Sequence, residues 1–263
     1  MASIDAICQA LARIAPLRLA ESWDNVGLLV GDRSESAERV IVCLTITPAV
    51  VDEALSDNAN LIVVHHPLPF KPLQRITTDS IAGSMLLRLI RSGVAIYSAH
   101  TAFDSASEGI NQMWADALQL QDIQPLVAAE QDDHGLGSGR CGKLSKPMSL
   151  QSLVVAAANQ VGATAPRRVG DADQIVNKVA FACGSGGSFL AAARRRGCDA
   201  LITGEATFHT CLEAESSRIG LGLLGHYWSE RFAMQRLAEQ LASEFSELSI
   251  WASRGESDPI HAV

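Results

Sequence analysis

Six cysteines are present (Cys8, Cys43, Cys141, Cys183, Cys198, Cys211), but no two stand at C-x-x-C spacing. Neither a zinc ribbon nor a thioredoxin-type redox motif is therefore indicated. They read as small buried hydrophobes in a reducing compartment. No apolar run reaches membrane-spanning length. The stretch "MASIDAICQALARIAP" is broken by Asp5 and reads as an amphipathic helix rather than a signal peptide, so a cytoplasmic location is expected. Positive charge is scarce: 21 Lys+Arg face 29 Asp+Glu, a net charge of −8, which disfavours direct contact with a nucleic-acid backbone. The one tight basic cluster, Arg194, Arg195 and Arg196, suits a helix end. Aromatics are only 5% and no strict repeat occurs, yet 48% of the 263 residues are hydrophobic, enough for one large or two ordinary cored domains.

What is present is an alternation of short apolar strands and amphipathic helices. "RVIVCLTI", "LIVVHH" and "VAIYSAH" read as buried strands. Between and after them come helices: "PAVVDEALSDN", starting from Thr47 with Pro48 in its first turn; "SIAGSMLLRLIRSG", with Ser80 as cap and Gly93 as stop; and "INQMWADALQL". The polar, glycine-rich stretch 128–147, with His134 as a solvated loop residue, is the natural boundary. A second α/β series follows, running through "KVAFACGSG", "ALITGE" and "LGLLGH" to the amphipathic helix "SERFAMQRLAEQLASEF" and a closing strand "LSIWAS". The expected fold class is α/β, two interlinked domains with mixed sheets flanked by helices. The expected division is 1–127 plus 222–263 for the first domain and 128–221 for the second.

The chemistry sits in the histidines. His65 and His66 close a strand just before Pro67. Neighbouring side chains on a regular strand face opposite ways, so two adjacent imidazoles share a site only where the strand ends. "SAHTAFD" ends another strand with His100 and Asp104 four apart, and "GHYWSER" joins strand to helix with His226 and Glu230 four apart, one face of a helix. Imidazoles and carboxylates at carboxyl ends of strands point to a metal site suited to zinc, iron or manganese. With no cysteine near these motifs in sequence, a closed structural zinc site is disfavoured. Five or six donors exceed one tetrahedral ion and suit two divalent ions bridged by a carboxylate and a water, which is hydrolase chemistry; Glu230 and Asp104 are the candidate bridges. The competing reading is a set of capped or hydrogen-bonded surface histidines.

"ESWDNVGLLVG" (21–31), "HHPLPFKPLQRIT" (65–77), "HTAFD" (100–104), "TGE" (203–205) and "GHYWSER" (225–231) resemble, in order and spacing, the Nif-three-like family (NGG-one-interacting factor three), whose bacterial members are often labelled GTP cyclohydrolase I type 2 homologues. The resemblance covers nearly the whole chain. It implies a two-domain α/β protein, a dinuclear metal centre, and a toroidal homohexamer. Carried onto matching positions, it implies His65, His66, Asp104, His226 and Glu230 as metal ligands, with His100 a ligand or a neighbour of the ligands. The chain departs from the family at Ala102, where Asn is commoner, and at Ser229, where Thr is; neither is a ligand position, but a substrate contact from Asn is lost. The chain is too short for the domain that some relatives insert in the middle.

Several secondary residues complete the reading. The glycines of "CGSGGS" follow a strand and precede a helix, so Gly184, Ser185, Gly186, Gly187 and Ser188 either cradle an anion or make a tight turn. Glu205 and His209 are candidate acids or bases, with helix capping by Thr203 or Glu205 as the alternative. His100 and Glu205 are the candidate catalytic pair. Trp23, Asp24 and Asn25 make a polar turn whose acid or amide could line the cleft. His261 is expected to be exposed. The functional expectation is a metal-dependent hydrolase of a small anionic or nucleotide-like substrate, with a metal-binding adaptor or metal storage and delivery protein as the rival.

Overall fold

The computed structural model describes residues 1–129 and 136–261; His134 lies outside them. Strands are β1 (Ala2–Ser3), β2 (Gly27–Val30), β3 (Ser36–Ala37), β4 (Arg39–Thr45), β5 (Leu61–His66), β6 (Ala95–Ser98), β7 (Gln121–Gln124), β8 (Val127–Ala128), β9 (Gly137–Ser138), β10 (Arg140–Ser149), β11 (Arg167–Val169), β12 (Ile175–Ala182), β13 (Ala200–Thr203), β14 (Gly220–Leu223) and β15 (Ser249–Ala252). Helices are α1 (Ile4–Ile14), α2 (Pro48–Ser56), α3 (Ile81–Arg91), α4 (His100–Ser105), α5 (Ile110–Ala117), α6 (Leu150–Val161), α7 (Leu190–Arg195), α8 (Phe208–Ser217) and α9 (His226–Glu244). The chain forms two compact units: Met1–Phe103 with Ala233–Ser257, and Asp104–Phe232 with Asp258–Val263. It passes between them inside α4 and again inside α9. Residues 104–127 belong to the second unit because β7 pairs with β10 there.

The first unit is built on a five-stranded sheet of order β15-β4-β5-β6-β2. β15, β4, β5 and β6 run parallel and β2 closes the far edge antiparallel to β6. Val40 to Leu44 and Leu61 to Val64 are buried throughout, as continuous apolar strands covered on both faces must be. Thr47 caps α2, accepting the Val50 amide at 3.3 Å, and Ser80 caps α3, accepting the Gly83 amide at 3.1 Å. Both caps fall where the sequence places them.

The second unit is a six-stranded mixed sheet, β11-β14-β13-β12-β10-β7, with β12, β13 and β14 parallel. β10 corrects the sequence reading: the polar stretch 128–147 supplies Ala128 of β8, all of β9 and most of β10. Its composition hides it, with Gly142, Lys143, Lys146 and Pro147 along its length, and its pairing with β12 shifts register between Lys143 and Met148. Arg140 opens β10 buried, donating to the carbonyls of Ser105, Ala106, Gly137 and Gly139 and to Gln112 Oε1. In the same unit Trp114 stacks on Phe181 with ring centroids 4.3 Å apart and donates from Nε1 to the Ser229 carbonyl at 2.8 Å, fixing the start of α9.

Candidate metal centre

In the first unit three imidazoles converge. β5 ends at His66, the chain turns at Pro67, and the rings of His65 and His66 come to 5.0 Å between centroids. His100 opens α4 just past β6, its ring 5.2 Å from His65 and 5.7 Å from His66. One ring nitrogen from each of the three lies within 4.8 Å of the others, a group that can hold a metal ion. Their anchoring is specific. His66 Nδ1 meets Thr45 Oγ1 at 2.7 Å, and His100 Nδ1 meets Asp24 Oδ1 at 2.7 Å. Fixing Nδ1 this way designates Nε2 as the ligand atom, the usual outer support of a metal-binding histidine. Ser98 Oγ donates to the His65 carbonyl at 2.8 Å, holding the strand end itself.

Asp24 is the residue the sequence undervalued. It is not merely a turn residue: its side chain is fully buried. It accepts from the Thr101 amide at 3.1 Å and from the Thr101 hydroxyl as well as meeting His100. Burial pushes its pKa upward, but the bonds from His100 and Thr101 outweigh that and bring it down to about 2. His100 sits at φ +28°, a region few non-glycine residues occupy; the Asp24 contacts to ring and following amide hold it there. Asn25 donates to the Pro69 carbonyl at 2.7 Å, tying the Asp24 turn to the segment after the histidine pair. Only the 76-residue separation of Asp24 from His100 hid the pairing. Ala102, one of the departures from the family pattern, is fully buried.

In the second unit the candidate residues gather at the carboxyl ends of β12, β13 and β14. α9 begins at His226, three residues earlier than the amphipathic pattern suggested, so His226 and Glu230 share one helical face, Nε2 to Oε2 3.1 Å. His226 Nδ1 meets Glu205 Oε1 at 2.9 Å. The Glu230 bond leads the forces that raise the His226 pKa to about 9, against burial, with Glu205 adding to it. Glu205 is lowered in turn by hydrogen bonds from Ser185, at 2.6 Å, and His226. Asp104, on the same short helix as His100, has its carbonyl held by Asn111 Nδ2 at 3.0 Å, and its Oδ1 accepts from Cys183 Sγ at 3.2 Å. The fold thus places a cysteine beside a candidate ligand, which the sequence spacing had argued against. That thiol is held protonated: burial, then the Asp104 and Glu230 charges, push its pKa well up.

The glycines of 184–187 have a steric reason. A Cβ on Gly184, at φ +58°, would lie 2.2 Å from Glu230 Oε1; one on Gly186 would strike Ala182 and Thr203, and one on Gly187 would strike Ala206. Ser229 fastens this turn to α9, accepting from the Gly184 amide at 2.9 Å and donating to the His226 carbonyl at 2.8 Å. Neither Thr203 nor Glu205 caps a helix: Thr203 Oγ1 donates to the Gly184 carbonyl, and the α8 cap is Thr207. His209 and His261 are exposed. The donor set of imidazoles and carboxylates at sheet termini fits a divalent metal ion.

The chain is similar to known proteins over nearly its whole length. The Duf34/NIF3 (NGG1p interacting factor 3) family model matches residues 2–259. A GTP cyclohydrolase 1 type 2 homolog of Clostridium acetobutylicum is 32% identical, over 93% of this chain and 91% of that protein. NIF3-like protein 1 of Drosophila melanogaster is 32% identical over 98% of this chain and 88% of that one. The crystal structure of a Bacillus cereus protein related to NIF3 superposes with a TM-score of 0.92 at 23% identity, covering 99% of both chains, a likeness of fold. With a family match over nearly its whole length and its expected histidines clustered at the strand ends, this chain belongs to the DUF34/NIF3 family.

Proposed function

We propose that the protein is a metal-dependent hydrolase of small anionic or nucleotide-like substrates, in the manner that the name GTP cyclohydrolase 1 type 2 homolog of its relatives suggests. The observation that carries this reading is the convergence of His65, His66 and His100, two of them held through Nδ1. Under it, His65, His66, Asp104, His226 and Glu230 hold two divalent ions. Such ions, when bound, acidify water at neutral pH and polarise an oxygen of the substrate. The chain's own residues supply the rest. Asp24 and Thr45 keep two imidazoles in register. Glu205 orients His226. His100, held through Nδ1, joins the ligands through Nε2, and Glu205 is the group through which a proton passes near the reacting bond. Self-assembly into a homohexamer belongs to the same proposal.

The test is elemental analysis of untagged protein, wild type beside a His66→Ala, Glu230→Ala double variant. About two metal ions per chain, falling sharply in the variant, is the expected result. A small-molecule panel then follows. Metal-dependent turnover that disappears in Glu230→Ala, with the fold intact, supports the hydrolase; reversible loading without turnover supports the adaptor or delivery role; no metal taken up from iron, zinc or manganese overturns both.

A further inference from the structure

Just past the end of β12, within the second unit, the dipeptide Cys183-Gly184 touches two carboxylates proposed as ligands, Asp104 and Glu230. Cys183 is buried, and its Sγ donates to Asp104 Oδ1 at 3.2 Å. A Cβ on Gly184 would fall 2.2 Å from Glu230 Oε1, so that carboxylate lies directly against the glycine. Both backbone amides of the dipeptide are held. The Cys183 amide donates to Asn111 Oδ1 at 2.9 Å, and the Gly184 amide donates to Ser229 Oγ at 2.9 Å. Asn111 is itself buried, and its Nδ2 donates to the Asp104 carbonyl at 3.0 Å. Asp104 is thus gripped at two points: its backbone by Asn111, and its side chain by the cysteine that Asn111 seats.

We propose that Cys183 is a positioning residue of the metal centre: its S–H sets the orientation of the Asp104 carboxylate, and the sulfur itself stays off the ion. An ionised carboxylate can only accept, so the proton between Sγ and Oδ1 is the thiol's. A thiol is a weak donor. It orients an oxygen while drawing little charge from it, which suits a carboxylate that must also bind a cation. Ligating carboxylates are themselves hydrogen-bonded, and the groups that support them tune metal affinity. The role goes beyond the small buried hydrophobe that the sequence suggested for this cysteine. An apolar side chain of the same size would fill the space equally well, but Asp104 would lose this donor. Asn111 closes the arrangement into a ring, because the same amide fixes the Asp104 backbone and the Cys183 backbone. Neither residue stands near Asp104 in a pattern that spacing alone would mark.

The inference rests on the metal proposal for the role of Asp104. Its test uses cobalt(II) alone as the probe. Full-length wild type, Cys183→Ala and Cys183→Ser are stripped with a chelator and titrated with cobalt against a chromophoric competitor. The absorption spectrum of each loaded protein and the melting of each metal-free protein are recorded alongside. Cys183→Ala is expected to bind cobalt about 10–100-fold more weakly. Cys183→Ser, which keeps a donor, should recover most of that loss. Wild type should show no thiolate-to-cobalt charge-transfer band. Such a band, absent from the alanine variant, would make the sulfur a ligand and overturn the positioning role. Undiminished cobalt affinity in Cys183→Ala, or a serine variant no better than alanine, would reduce Cys183 to packing, whatever happens to the melting temperature. Either result with wild type fully loaded overturns this inference alone. Wild type that takes up no cobalt overturns the metal reading and this inference with it.

Discussion

Asp24 shows how much of a metal-capable site depends on a residue that touches no candidate metal. Its carboxylate meets His100 Nδ1 and takes the Thr101 amide and hydroxyl. Asp24→Asn keeps the shape but loses the charge that fixes the His100 tautomer. Metal affinity, measured by competition with a chromophoric chelator, is expected to fall about 10–100-fold, the usual effect of removing an outer support, and the melting temperature at neutral pH falls with it, because the lowered pKa of the carboxylate stabilises the folded chain there. An unchanged affinity would show that His100 is not a ligand. The same scale explains what sequence could reveal. His65, His66, His226 and Glu230 announced themselves because each lies beside or one helical turn from its neighbour in the chain. Asp24, Asn111 and Cys183 act over 76, 7 and 79 residues of separation on His100, on the Asp104 carbonyl and on Asp104 Oδ1, and nothing local in their surroundings marks them.

At the scale of elements, strands with strong apolar runs and helices with side-chain caps were legible, and β10 was not. Its first residue, Arg140, is tolerated in the interior because carbonyls at the end of α4 (Ser105, Ala106) and around β9 (Gly137, Gly139) accept its guanidinium. Arg140→Leu takes a donor from four buried carbonyls, of which Ala106 and Gly139 keep a backbone amide, and is expected to lower unfolding free energy by about 2–4 kcal/mol, read from the denaturation midpoint. A second junction, between α2 and the segment after β15, carries its own pH signature. Glu53 receives Trp251 Nε1, the Ser253 hydroxyl and the amides of Arg254 and Gly255. Burial works upward on its pKa, but these donors bring it down to about 2. An unfolded glutamate titrates near 4.3. The junction therefore contributes its full stabilisation above about pH 4.3 and loses it as pH falls through about 2, a difference on the order of 2–3 kcal/mol. Glu53→Gln should melt below wild type at neutral pH, with the gap closing between pH 4 and 2. A gap constant across that window would show that the carboxylate is not the source.

For the molecule as a whole, ions bound only by the folded chain must raise its stability. At a hundredfold excess over the dissociation constant the gain is about 2.7 kcal/mol, which for a chain of this length is a rise of roughly 5–10 °C. Differential scanning calorimetry with and without a chelator reads it directly, and identical curves would count against the metal proposal. Sedimentation of the same samples tests assembly: a hexamer of the 28.0 kDa chain would have six times that mass. No helix among the described residues is long and apolar enough to cross a membrane.

The division of the chain has a consequence for how it is born. The first unit is discontinuous: Met1–Phe103 needs Ala233–Ser257, and its sheet lacks an edge until β15 pairs with β4. On the ribosome, four of its five strands emerge first and wait, with the open side of β4 presenting unpaired backbone groups. The intervening 129 residues, Asp104–Phe232, which are nearly all of the second unit, are complete in between. The usual order in which the amino-terminal domain closes first is thereby reversed, and the unit begun first is the one finished last. Until Ser249–Ala252 emerges to pair with β4 that edge stays open, and a chain cut short before residue 249 keeps it open for good.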